Sequence, residues 1–71
     1  MDAQELVAWR KGMAAKVGRR VTQQMAADSL GISKRAYQLR EAGESPLARE
    51  TELACRRLEE HPGEIILPAE G

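Results

Sequence analysis

Residues 22–43 read TQQMAADSLGISKRAYQLREAG, and the gap in the middle of this run constrains the fold more than anything else in the chain. Thr22 is a good N-cap for a helix running to about Leu30, and Gly31 supplies the left-handed conformation that ends many helices. Ser33 then caps a further helix, SKRAYQLREA, which Gly43 terminates. Two short helices joined this tightly cross at a steep angle, and Ala27 is small where they approach each other. Ala26, Ala27 and Leu30 are expected to face inward, with Ile32 buried in the turn and Tyr37 a core residue whose hydroxyl lies at the edge.

The flanking segments supply one helix on each side. Asp2 with Glu5 three residues later is a capping-box pattern. Leu6, Trp9, Met13 and Val17 follow at helical spacing, and Gly18 is placed to end that helix. Downstream, Ser45 as N-cap with Pro46 at the first helical position predicts a fourth helix. Its inward face is expected to carry Leu47, Ala54 and Leu58, and His61-Pro62-Gly63 to end it. The expected architecture is all-α with four helices and a short tail containing the apolar triplet Ile65-Ile66-Leu67.

A chain of 71 residues makes one domain at most and buries only about 60% of its unfolded surface. Such small scaffolds need cross-links, a metal, tight helical packing or a second copy. Cys55 is the only cysteine, so no disulfide forms within the monomer. Cys55 and the single histidine, His61, do not make a zinc site of three or four ligands. Helix packing remains, with homodimerisation beside it, and no cofactor or metal is expected. No stretch approaches the ~20 apolar residues of a membrane span. The start, MDAQELVAWR, carries acids where a signal peptide carries bases. The expectation is a cytoplasmic protein without a membrane partner.

The net charge is zero, but its distribution is uneven. Residues 1–43 hold eight basic and four acidic side chains, whereas residues 44–71 hold three and seven. A neutral total therefore does not argue against a polyanionic partner, because the local field attracts one. Taken alone, Lys34, Arg35 and Gln38 would be an ordinary solvated helix face. No paired carboxylates, nucleophile–base pair or Gly-rich phosphate loop supports an enzyme, and no small-molecule substrate is implied.

The run resembles the helix-turn-helix of the Cro and lambda-repressor family, also called the xenobiotic-response-element family. Gln23 opening the second helix, Ala27, Gly31, Ile32 and the closing Glu41-Ala42-Gly43 carry the likeness. It covers roughly residues 5–62, and its later stretch, SPLARETELACRRLEEHP, is similar to the final helix of small bacterial and phage regulators of this type. It implies a lambda-repressor-like DNA-binding domain over residues 1–62, with the helix-turn-helix at about 22–42. The remaining residues, 63–71, are a tail that offers a dimer contact. Two positions depart from the family pattern. Arg40 stands where a large apolar residue is usual, so either its stem snorkels or Leu39 turns inward. A short fifth helix is replaced by residues 64–71.

The resemblance implies double-stranded operator DNA as partner and transcriptional regulation, as a repressor, as function. With Tyr37 inward, a rotation of 100° per residue sends Arg35, Gln38, Leu39 and Ala42 outward, with Lys34 alongside. Arginine pairs bidentately with guanine and glutamine with adenine, while leucine meets a thymine methyl. Lys34, Arg35, Gln38 and Leu39 are therefore the base-reading candidates. Thr22 and Gln23, at a helix N-terminus, are placed for phosphate, with Arg19, Arg20 and Ser33 beside them. Gln23 is similar to the family's backbone-clamping glutamine. Glu41 is expected to pair with Lys16 or Arg10. One short helix reads too little DNA alone, so a homodimer through Leu58, Ile65, Ile66 and Leu67 is expected. The alternative is a protein-interaction module, antitoxin-like or adaptor-like, that uses the same helices without reading DNA.

Overall fold

In the computed structural model, which describes residues 1–67, the chain is all-α with four helices. Helix α1 (Ala3–Val17) opens on the expected capping box. The Asp2 carboxylate accepts from the Glu5 amide at 2.8 Å, and the Glu5 carboxylate accepts from the Asp2 amide at 3.3 Å. Leu6, Trp9 and Met13 form its buried stripe, and Val17 is only half-buried. The Trp9 indole N–H donates to the Cys55 carbonyl oxygen at 3.0 Å, tying α1 to the fourth helix at the centre of the core.

Helices α2 (Gln23–Leu30) and α3 (Lys34–Glu41) pack closely across the turn. The Thr22 hydroxyl accepts from the Met25 amide, and the Ser33 hydroxyl from the Ala36 amide, both at 3.1 Å. Gly31 has φ 74°, and the Ile32 amide reaches back to the Ala27 carbonyl at 3.0 Å. A side chain at Gly31 would be strained by the backbone angle itself, since the surrounding space is open. Ala26 and Ala27 are fully buried, as the close crossing requires. Met25 is buried with them, whereas Leu30 and Ile32 are half-buried against the core. The expected inward face of α2 is thus rotated toward Met25.

The fourth helix departs most from expectation. α4 spans Arg49–Glu60 with Ala48 as N-cap and no capping side chain, so Ser45 and Pro46 do not start it. Ala48 itself is extended, and half-buried Leu47 packs on the core ahead of the helix. Thr51, Cys55 and Leu58 then point inward at helical spacing, and Ala54 is only half-buried. Packing by this stripe overrides the local Ser-Pro start signal. Beyond His61 a single 3-10 turn, Pro62–Glu64, stands where the fifth helix is missing, and it packs on α1 and α4. The Arg57 guanidinium grips Glu64 through two bonds of 3.0 and 3.1 Å. The Ile66 amide donates to the Ser29 hydroxyl at 2.8 Å, which in turn donates to the Met25 carbonyl.

This closure corrects half of the expected dimer surface. Leu58 and Ile65 are 5% and 6% exposed and belong to the core, because the 3-10 turn folds Ile65 inward beside α4. Ile66 and Leu67 remain about half exposed, as does Leu53 on α4. Residues 68–71 of the expected tail lie outside the described residues. Among the described residues no helix is long and apolar enough to cross a membrane, and no cluster of potential ligands could hold a metal ion.

Candidate nucleic-acid interface

The two capped, glycine-ended turns place α3 with one side inward and one side out. Tyr37 is fully buried. Lys34, Arg35 and Gln38 are exposed, Leu39 and Arg40 are half-buried, and Ala42 is exposed at the C-cap. Both options for the Arg40 position are thus met partway. Arg40 is half-buried like Leu39, and its Nε is buried without a partner among the described residues. Among the same residues Lys34 and Arg35 take part in no ion pair, so both cations face solvent unneutralised.

An open groove of about 490 Å³ runs between the start of α2 and the start of α3, lined by Arg10, Arg20, Thr22, Gln23, Gln24 and Lys34. No carboxylate lines it, and the free amides of the α2 N-terminus lie at its wall. Arg19 is exposed but does not line the groove. The Thr22 and Ser33 hydroxyl oxygens are occupied as helix caps, and each keeps its own proton for donation.

Behind the groove lies a polar network. The Arg10 Nε donates to Glu41 Oε2 at 2.8 Å and its Nη2 to Glu41 Oε1 at 3.3 Å. This selects Arg10 over Lys16, whose ammonium instead donates to the Glu59 carbonyl. Arg10 also holds the Val21 carbonyl at 3.1 Å. Gln23 Nε2 donates to Glu41 Oε1 at 2.8 Å, and Gln38 Nε2 donates to Gln23 Oε1 at 3.1 Å. A chain of four side chains therefore links the core-facing ion pair to the outer face of α3. The Glu41 side chain is 7% exposed and that of Arg10 19%.

The electrostatics follow from this arrangement. Burial alone would push the Glu41 carboxyl up. The bonds from the Arg10 guanidinium, with that from the Gln23 amide, outweigh it and hold the carboxyl below its ordinary 4.5. The bond to Glu41 likewise raises Arg10, keeping it charged. Burial, then proximity to Glu41, pushes the Tyr37 phenol up.

The Tyr37 hydroxyl is buried rather than at the edge, and among the described residues it has no hydrogen-bond partner. Removing an unpaired buried hydroxyl releases its desolvation cost. Tyr37→Phe is therefore expected to leave stability unchanged or to raise it by about 1 kcal/mol, read from urea unfolding. A loss of similar size would show that the hydroxyl is bonded to Glu41.

The Arg10–Glu41 pair stands as the sequence predicts, and Lys34, Arg35, Gln38 and Ala42 of the expected outward set are exposed while Leu39 is half-buried; Gln23 and Gln38, expected to have separate tasks, are joined. Neither that link, which joins two helices through side chains 15 residues apart, nor the bond between Ser29 and a backbone amide 37 residues away has a signal in the sequence. No protein-family model, no curated protein and no solved structure matches the chain.

Proposed function

We propose that this chain is a helix-turn-helix regulator that binds double-stranded DNA in a sequence-specific way. In this reading it is a repressor of the Cro and lambda-repressor type acting as a homodimer on a two-fold operator. One observation carries the reading. Lys34, Arg35 and Gln38 are exposed on α3, and Lys34 also lines the carboxylate-free groove at the start of α2. A protruding helix edge with donors fits the major groove, and the adjoining basic concavity fits a phosphate. Arg35 pairs with guanine, while Arg20, Thr22 and Gln23 hold the backbone, with Arg19 and Ser33 flanking them. Lys34 sits where the two surfaces meet and serves either. Half-buried Leu39 offers a smaller apolar contact.

Blocking a promoter needs no further chemistry than occupancy, so the bound dimer would itself be the repressing species. Among the described residues, the large apolar side chains left for a self-contact are Leu53, Ile66 and Leu67. Sedimentation in the presence of operator DNA tests the dimer, and one chain per site would remove it.

The direct test is a selection of bound sites from random DNA, repeated with Arg35→Ala. The substitution should flatten one position per half-site, costing about 1–3 kcal/mol of discrimination there, while the other positions hold. Affinity for the selected site should also fall steeply with salt, as counterion release requires. A shallow salt dependence would favour the protein-interaction reading. That reading has its own observation, the groove of about 330 Å³ around half-exposed Leu53.

A further inference from the structure

We propose that the groove along the outer face of α4 docks an acidic amphipathic helix of a partner protein. An apolar side chain of that helix enters beside Leu47 and Leu53, and carboxylates on either side of it meet Arg49 and Arg56. The site shares no residue with the groove at the start of α2, so it adds a protein partner to the DNA-facing surface and does not depend on it.

The groove, about 330 Å³, is lined by Leu47, Arg49, Glu52, Leu53 and Arg56. Positions 49, 52, 53 and 56 are spaced three or four residues apart and so share one face of α4. Leu53 is 49% exposed, a large apolar side chain that the core does not use, and half-buried Leu47 supplies a second apolar wall. The volume lies at the small end of the roughly 300–1,000 Å³ of ligand pockets. It takes an anchoring side chain, and the rest of the partner lies along the rim.

Charge decides the kind of partner. Residues 44–71 hold three basic side chains against seven acidic ones. Arg57 is taken by Glu64, and the other two bases, Arg49 and Arg56, both line this groove. Arg49 takes part in no ion pair among the described residues, and the Arg56 side chain is 68% exposed. Glu52 is already engaged, its Oε2 accepting from the Met1 ammonium at 2.9 Å and its Oε1 from Arg56 at 3.2 Å. Two cations therefore flank an apolar centre, about 10 Å apart along the helix. A second helix laid against α4 matches them with two acidic side chains seven residues apart and an apolar one between. Exposed Glu50, Glu59 and Glu60 repel a carboxylate placed elsewhere on α4, which fixes the register.

Neither a second copy nor DNA fits this face as well. A two-fold contact sets the patch against its own image, cations against cations. A phosphate backbone offers nothing to the two leucines and meets the Glu52 carboxylate in the wall.

The experiment titrates the full chain into two labelled synthetic helical peptides and reads fluorescence anisotropy. One peptide carries a leucine midway between two glutamates seven residues apart, and the other has lysines in place of the glutamates. Wild type should bind the glutamate peptide about tenfold or more tighter than the lysine peptide. Leu53→Ala should weaken that binding about fivefold, the loss of a half-exposed apolar anchor. Arg49→Glu with Arg56→Glu should reverse the preference, so that the lysine peptide binds better. All three residues are exposed, so the core is untouched, and circular dichroism checks folding. Binding of neither peptide, equal affinity for both, or a preference that survives the charge reversal would overturn the inference. Sedimentation in which wild type self-associates and Leu53→Ala does not would overturn it in favour of a second copy. A salt slope of DNA binding that falls by about one in Arg49→Ala would assign that cation to phosphate and overturn it too. A random-DNA selection that enriches nothing would remove the DNA reading alone.

Discussion

Glu41→Ala is expected to lower the unfolding free energy by about 3 kcal/mol, the cost of breaking a largely buried ion pair from one side. The substitution strands the Arg10 guanidinium, whose side chain is only 19% exposed, with the Val21 carbonyl as its remaining partner. It also releases the Gln23 amide that Glu41 holds at 2.8 Å. A domain of this length has a total stability of roughly 4–11 kcal/mol, so the loss removes a large share. Replacing both partners by apolar residues, Arg10→Met with Glu41→Leu, should cost far less, because no charge is left unpaired.

The same pair predicts an acid limb. Glu41 is depressed in the folded state, so its contribution is complete above the ordinary 4.5 and is lost as pH falls through its lowered folded value. Glu41→Gln should flatten this part of the stability–pH curve while sparing most of the packing. Urea unfolding followed by the fluorescence of the one tryptophan, buried Trp9, measures each value. A Glu41→Ala effect below about 0.5 kcal/mol, or an unchanged acid limb in Glu41→Gln, would show the pair to be only a surface contact.

Ends of helices are legible in the sequence where a single residue type answers a local need. Asp2 with Glu5, Thr22, Ser33, Gly18, Gly31 and Gly43 all perform the expected capping, because caps are satisfied within three or four residues. The start of α4 is illegible for the converse reason. Ser45-Pro46 is a valid local start, but inward packing of Thr51, Cys55 and Leu58 sets the helix phase, and packing depends on distant partners. Ile65 looks like spare apolar surface in the sequence because the turn at Pro62–Glu64, which folds it back, is invisible to periodicity, whereas the burial of Leu58 agrees with its place on the inward face of α4.

At the candidate site, outward and inward residues of α3 are separable by the 100° rotation. The amide relay is not, because it joins α2 to α3 through side chains 15 and 18 residues apart. Glu41 anchors α1 to α3 through Arg10, and through Gln23 it is linked to Gln38 on the outer face.

Raising the pH is expected to unfold this protein through Cys55 and Tyr37, and the thiol supplies the separable part. Cys55 is fully buried, and burial, with Glu59 and Glu52 nearby, pushes its thiol from 9.0 up to about 12. Tyr37 moves the same way for the same primary reason. A folded-state value above the unfolded one means the native chain holds its proton longer. The thiol's contribution is thus complete below about pH 9 and disappears as pH climbs toward about 12. Over that interval the thiol alone removes about 4 kcal/mol, at roughly 1.4 kcal/mol per unit. Cys55→Ala lacks the titrating group while leaving the backbone carbonyl that receives the Trp9 indole. Near neutrality it should be less stable than wild type by about 1–2 kcal/mol, from the lost sulfur packing. At about pH 11 the order should reverse, because only wild type must then keep a thiol protonated in the core. Tyrosinate absorbance gives an independent readout, as Tyr37 is the one tyrosine. Its ionisation should be delayed and should coincide with the loss of Trp9 fluorescence rather than precede it. Parallel stability curves for the two proteins across the alkaline range, or a phenol that titrates freely while the fold persists, would mean that the space around Cys55 and Tyr37 is open to water.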